Sequence, residues 1–187
     1  MDRICVYCGS SSGVGDAYAD AARSLADLLV AENIGLVYGG ATKGLMGTLA
    51  DRVLSGGGEV QGVIPKALEG KEIAHEGLTR LHVVDSMHER KSLMALLSDG
   101  FVALPGGFGT IEEIIEVLTW GQLRFHEKPC GLLNVDGYFD QLLAFLDHGQ
   151  ARGFLKPQHR QMLQVAETPA ALLQQFRTYH PPDGDKW

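Results

Sequence analysis

The string FVALPGGFGTIEEIIEVL at positions 101–118 passes from an apolar run through a glycine-rich turn into a helical pattern. Phe101 to Leu104 is a short apolar run closed by Pro105 and Gly106, the pattern of a strand buried on both faces. Ile111 to Leu123 then follows with helical spacing. A strand that enters a helix through a glycine-rich loop is half of a βαβ unit.

The same alternation extends in both directions. Ile4 to Cys8, Leu36 to Tyr38, Val60 to Ile64, Leu81 to Val84 and Cys130 to Leu133 read as further strands, most of them buried on both faces. Between them Ala17 to Ala31, Leu45 to Leu54 and Met87 to Leu97 have helical spacing. Right-handed crossovers around a parallel sheet follow, and the expected architecture is a single doubly wound α/β domain over residues 1–187. Asp99-Gly100 is expected to close a helix. Thr168-Pro169 supplies an N-cap and a first-position proline to a last helix through Phe176, and 180–187 reads as a loose tail. Lys66 to Thr79 is the one long connection without a pattern, a feature often reserved for function.

Composition narrows the function classes. With 187 residues, 45% hydrophobic and 21% charged, the chain has material for one ordinary core. Its formal charge of −7 argues against holding a nucleic-acid backbone by bulk electrostatics, so any anionic ligand must be caught locally. Cys5, Cys8 and Cys130 are too few and too odd in number for a disulfide framework, and no charged-then-apolar leader opens the chain. A reduced, cytoplasmic protein is expected. No apolar run approaches the roughly 20 residues of a bilayer span, so no membrane association is expected.

In doubly wound sheets ligands bind where strands end and helices begin. Three glycine-rich loops occupy such positions: Gly9 to Gly13, Gly39 to Gly44, and Pro105 to Thr110. The third begins like a dinucleotide fingerprint but has Glu112 where the last glycine belongs. The second has Walker-A glycine spacing but Leu45 in place of the lysine. Both specific motifs fail, and a phosphate on glycine-loop amides and a helix N-terminus remains.

Thr110-x-x-Glu113 has the form of a capping box, which would turn Glu113 back on its own helix. The competing reading turns Glu112 or Glu113 toward a ligand. Ser86-x-x-Glu89 is a second capping box, and it places Arg90 and Lys91 at the helix end that disfavours cations. Such a placement invites a functional explanation, against that of solvated surface. Cys5-Val6-Tyr7-Cys8 lies along a strand, so its thiols read as core. The seven histidines and three cysteines form no zinc-ligand pattern, and neither metal nor cofactor is expected.

Pro105-Gly106-Gly107-Phe108-Gly109-Thr110-Ile111-Glu112-Glu113, together with Met87-His88-Glu89-Arg90-Lys91, resembles the LONELY GUY family of cytokinin riboside 5′-monophosphate phosphoribohydrolases, often mislabelled lysine decarboxylases. The family pattern Pro-Gly-Gly-x-Gly-Thr-x-x-Glu is met in full, and similarity extends from Cys8-Gly9-Ser10 through Tyr38-Gly39-Gly40 to Gly131-Leu132-Leu133-Asn134. The resemblance implies a Rossmann-like homodimer, an AMP nucleosidase-type hydrolase. It would cut the N-glycosidic bond of a nucleoside 5′-monophosphate to free base and ribose 5-phosphate. It implies substrate contacts at Glu72, Arg90, Lys91, Gly107, Phe108, Gly109, Thr110, Ile111, Glu112, Glu113 and Thr119, with Arg90 and Glu113 as the catalytic pair. Arg90 could serve the phosphate or the carboxylate. One departure stands out: family members commonly read Tyr-Gly-Gly-Gly in the second loop, whereas this chain has Ala41 after Gly40, followed by Thr42 and Lys43. A non-catalytic nucleotide or cofactor carrier on the same fold is the rival reading.

Overall fold

The computed structural model describes residues 1–69 and 75–182. Seven strands form one sheet: β1 (Arg3–Tyr7), β2 (Gly35–Tyr38), β3 (Val60–Pro65), β4 (Arg80–Val84), β5 (Gly100–Ala103), β6 (Cys130–Leu133) and β7 (Leu163–Ala166). Their order is β4-β3-β2-β1-β5-β6-β7, and every pairing is parallel. The doubly wound expectation holds, with order reversing beside β1.

Among the described residues eight α-helices flank the sheet: α1 (Ala17–Ala31), α2 (Gly44–Ser55), α3 (Lys66–Glu69), α4 (Met87–Leu97), α5 (Phe108–Gln122), α6 (Asp140–Ala151), α7 (Pro157–Arg160) and α8 (Pro169–Arg177). Because strand side chains alternate faces, the sheet divides the core in two. Ile4, Val6, Leu36 and Val102 pack against α1, α2 and α8, whereas Cys5, Tyr7, Val37 and Phe101 pack against α4, α5 and α6. Helix α1 shows why such elements form. Ala22, Leu25, Ala26 and Leu29 make one buried stripe, and Asn33, at φ 55°, stops the helix in the left-handed region while Ile34 N–H donates to the Leu29 carbonyl at 2.8 Å.

Two local expectations need correction. Asp99-Gly100 does not close a helix: α4 ends at Ser98 in extended backbone, and Asp99 Oδ2 accepts from the Asp2 and Arg3 amides at 2.6 and 3.0 Å. Gly100 instead opens β5, where a Cβ would lie 3.2 Å from the Phe176 ring. Helix α5 starts at Phe108, three residues before the expected Ile111, because Gly107 is the N-cap. Thr168 caps α8 as expected, its hydroxyl accepting from Ala171 N–H at 3.3 Å. Of the expected tail, 183–187 lie outside the described residues.

Candidate active site

Strand order reverses at β1, so helices leave β1 and β5 on opposite faces and a crevice opens above their carboxyl ends. All three glycine loops meet there. Gly9 N–H donates to the Pro105 carbonyl at 3.0 Å, and Leu45 N–H, just inside α2, donates to the Gly9 carbonyl at 3.1 Å. Glycine is required by this proximity. A Cβ at Gly106 would sit 2.8 Å from Gly9 N, and Gly44, at φ 60°, backs directly onto the Ser10 backbone.

The third loop runs into α5, whose first amides lack intrahelical acceptors and carry the positive end of the helix dipole. Gly107 and Gly109 have open space where a side chain would stand, so a ligand can approach the backbone there. Phe108, between them, is 94% exposed. Thr110 is the third residue of the helix and is buried, so the capping-box reading of Thr110 and Glu113 fails. Glu113 is thereby available to a different partner.

That partner comes from α4. The Ser86 hydroxyl accepts from Glu89 N–H at 3.1 Å and Glu89 Oε2 accepts from Asp85 N–H at 2.8 Å, a capping arrangement that fixes the start of α4. Arg90 and Lys91 then point inward and are 8% exposed. Arg90 Nε donates to the Val63 carbonyl at 3.1 Å, and its Nη1 lies 3.5 Å from Glu113 Oε1, with side-chain exposures of 10% and 11%. Gly39 leaves room for the guanidinium; a Cβ at that position would run into it. The Glu113 charge is felt at the end of β1. Burial pushes the Cys5, Tyr7 and Cys8 pKa values up, and the nearby Glu113 carboxylate pushes each further.

Lys91 makes a second bridge between the same helices. Its Nζ donates to Glu112 Oε1 at 2.6 Å and to the Glu116 carboxylate at 2.9 Å. Burial works against the ammonium, but hydrogen bonds and charge from the two carboxylates outweigh it and hold Lys91 above the usual lysine range. Replacing Lys91 with methionine leaves Glu112 and Glu116 facing each other without a cation. Glu112 is half in solvent, so the expected loss is about 2 kcal/mol, below what a fully buried pair would cost and above a surface one. Urea unfolding reads it, and an unchanged midpoint contradicts the strut.

A family model described as "Possible lysine decarboxylase" matches residues 46–176. A probable cytokinin riboside 5′-monophosphate phosphoribohydrolase of Oryza sativa subsp. japonica is 53% identical over 179 residues, covering 96% of this chain and 79% of the relative. A cytokinin riboside 5′-monophosphate phosphoribohydrolase of Arabidopsis thaliana is 49% identical over 179 residues, covering 96% and 83%. The chain belongs to the cytokinin riboside 5′-monophosphate phosphoribohydrolase family. Two solved structures share the fold with this phosphoribohydrolase family member at lower identity. The molybdenum cofactor binding protein of Rippkaea orientalis has a TM-score of 0.70, is 20% identical and covers 95% of this chain and 96% of its own. The molybdenum cofactor carrier protein of Chlamydomonas reinhardtii also has a TM-score of 0.70, at 21% identity over 96% and 99%.

Of the residues marked by phosphoribohydrolase resemblance, the crevice gathers Arg90, Lys91 and the run Gly107, Phe108, Gly109, Thr110, Ile111, Glu112 and Glu113. Glu72 lies outside the described residues. Nearby, His75 N–H donates to the Gly40 carbonyl at 3.0 Å, and its Nε2 is 2.8 Å from Asp51. Thr119 stands apart from the glycine loops. Its hydroxyl donates to the Ile115 carbonyl at 2.7 Å, and with Ile115, Leu118, Leu146 and Met162 it lines a shallow apolar hollow of about 120 Å³. Ala41 turns its methyl into the core, and Lys43 lies exposed at the cap of α2, so the departure in the second loop is absorbed by packing. Tyr138 escaped sequence reading altogether: its hydroxyl donates to the Gly106 carbonyl at 2.7 Å. The Asp136-Gly137 pair signals the turn before it but not the reach of the ring. Among the described residues no three His, Cys, Asp or Glu side chains are grouped to hold a metal ion, and no helix is long and apolar enough to cross a membrane.

Proposed function

We propose that this chain hydrolyses the N-glycosidic bond of N6-modified adenosine 5′-monophosphates, and of AMP, to free base and ribose 5-phosphate. The names of relatives at about half identity support the reaction class. The observation that carries the residue assignment is the nearly buried Glu113 carboxylate, held by Arg90 at 3.5 Å beside the first turn of α5. Breaking the C1′–N bond sends its electron pair to the base and leaves positive charge on the ribose ring. A fixed carboxylate beside that ring lowers the barrier and accepts a proton from the attacking water, while the departing base gains one. Arg90 orients the carboxylate and balances its charge. The Gly107 to Thr110 amides take the 5′-phosphate.

A lysine decarboxylase would need an unprotonated lysine to form a Schiff base. Lys43 and Lys91 are the candidates near the crevice. Lys91 is held in its protonated form by two carboxylates, so it is a poor nucleophile at neutral pH, and Lys43 lies exposed at the cap of α2, without the burial that activates a Schiff-base lysine. The deciding experiment incubates the protein in parallel with AMP, N6-isopentenyl-AMP and lysine and separates the products. Free base from both nucleotides and no change in lysine is expected. Nucleotide binding without free base would identify a carrier and sink the proposal.

A homodimer fits the same molecule. Helix α6 has no buried residue, and the helices of that face expose Leu96 and Phe145 at 77% and 69%, apolar surface that a second copy would cover. Light scattering should give twice the 20.2 kDa chain mass, and the chain mass alone would rule the pairing out. Three buried free thiols suit a reducing cytoplasmic setting.

A further inference from the structure

Beyond β6 the chain makes a turn that its own residues resist. Asp136 stands at φ 50°, ψ 33° and Gly137 at φ 69°, two consecutive left-handed residues of which the first is not glycine. Several bonds hold the turn in place. Asn134 Oδ1 accepts from Phe139 N–H at 2.8 Å, Asn134 Nδ2 donates to Asp140 Oδ1 at 2.8 Å, and Tyr138 N–H donates to the Val135 carbonyl at 3.0 Å. The strained turn delivers the Tyr138 ring, edge to face with Tyr18 and Phe139 at 5.7 and 5.0 Å, to the third glycine loop. Tyr138 remains 42% exposed, so burial of its ring is not the main gain from this arrangement.

What the hydroxyl touches is one end of a peptide plane. In a trans peptide the carbonyl and the following N–H point in opposite directions, so fixing one aims the other. The Pro105 carbonyl is fixed by Gly9 N–H at 3.0 Å, the Gly106 carbonyl by the Tyr138 hydroxyl at 2.7 Å, and the Gly107 carbonyl by Ile111 N–H at 3.2 Å. Three consecutive planes are thus pinned through their oxygens. The middle plane joins two glycines, the residues least able to hold a peptide orientation by themselves. Among the described residues its pin is a side chain from another strand's loop. A tyrosine hydroxyl has one proton, and here the carbonyl takes it, which leaves none for a phosphate oxygen.

We infer that Tyr138 is a positioning residue for anion recognition: its hydroxyl locks the Gly106–Gly107 peptide so that the Gly107 N–H faces the 5′-phosphate of the substrate. The inference rests on the phosphoribohydrolase reading for the identity of the anion. Tyr138 acts on the anion through the peptide rather than by direct contact.

The test is Tyr138→Phe in the full chain, which keeps both ring contacts and removes only the pin. Calorimetric titration with ribose 5-phosphate should show a roughly tenfold weaker Kd than wild type, the scale of one lost bond to a charged group. KM for AMP should rise by a similar factor with kcat within about twofold, the signature of lost binding and intact chemistry, and Tm should stay at the wild-type value. Wild-type affinity for ribose 5-phosphate in the variant overturns the inference. So does a fall in kcat at constant KM, or a loss of affinity matched by a lowered Tm, which would make the hydroxyl a packing element. A wild-type protein that binds ribose 5-phosphate yet releases no base defeats the phosphoribohydrolase reading alone, and the binding comparison still decides the role of Tyr138. A wild-type protein that does not bind ribose 5-phosphate defeats both.

Discussion

Glu113→Gln is expected to lower base release from AMP by about 10³-fold while leaving nucleotide affinity within a few-fold of wild type. The substitution keeps the size of the side chain and an oxygen that can still accept from Arg90 Nη1, now 3.5 Å away. It removes the negative charge, and with it both tasks assigned to Glu113: opposing the positive ribosyl ring and taking the proton of water. A charge that acts on the transition state far more than on the ground state should be missed in kcat and hardly in KM. Single-turnover release of adenine, with AMP binding measured separately, resolves the two. A Gln variant that keeps most of its turnover would falsify the assignment. Arg90 then carries an unbalanced charge at a site only 10% exposed, so some loss of stability should accompany the change. Activity must therefore be compared at a temperature where both proteins are folded.

The sheet was legible because the central strands are short apolar runs, and β1, β2, β3 and β5 run into the glycine or proline that opens the next loop. Cys130–Leu133 and Met87–Leu97 match the expected bounds residue for residue. The C-terminal part was less legible. Helix α6 is only partly buried and β7 is an edge strand with two half-buried positions, so neither has the continuous apolar signal of a central element. At the crevice, sequence pattern singled out Arg90, Lys91 and Glu113, which the fold brings together, but offered the wrong local structure for one of them. Thr110-x-x-Glu113 matches a capping box in letters alone, because Gly107, with no side chain to offer, takes the cap and shifts the register by three. Conversely, two cations in the first turns of α4 looked misplaced on a helix considered by itself. They make sense only once α5 is packed alongside, with Glu113 facing Arg90 and Glu112 and Glu116 facing Lys91. Such cross-helix pairing, like the bond from Tyr138 to Gly106, has no fixed sequence spacing and becomes visible only in three dimensions.

Adenosine should be a poorer substrate than AMP by on the order of 10⁴ in kcat/KM, although the two share the bond that breaks. The chain as a whole repels anions, with a formal charge of −7. Attraction for a phosphate must then come from local features: the first-turn amides of α5, the open backbone at Gly107 and Gly109, and the loop planes pinned by Gly9 and Tyr138. These groups are fixed before the ligand arrives. Their binding energy can therefore be spent on holding C1′ against Glu113 as well as on capturing the nucleotide. Removing the phosphate forfeits both, so kcat should fall along with affinity, whereas loosening one loop amide, as Tyr138→Phe does, leaves the sugar tethered and shows in KM alone. Adding free phosphate to adenosine should restore only a small part of the rate, since an untethered anion fills the loop without orienting the sugar. Chromatographic measurement of adenine from AMP, from adenosine, and from adenosine with phosphate separates these contributions. Equal rates from AMP and adenosine would remove the glycine loops from the reaction. Full rescue by free phosphate would mean that the anion works by neutralising the site, and the anchoring role assigned to α5 would have to be given up.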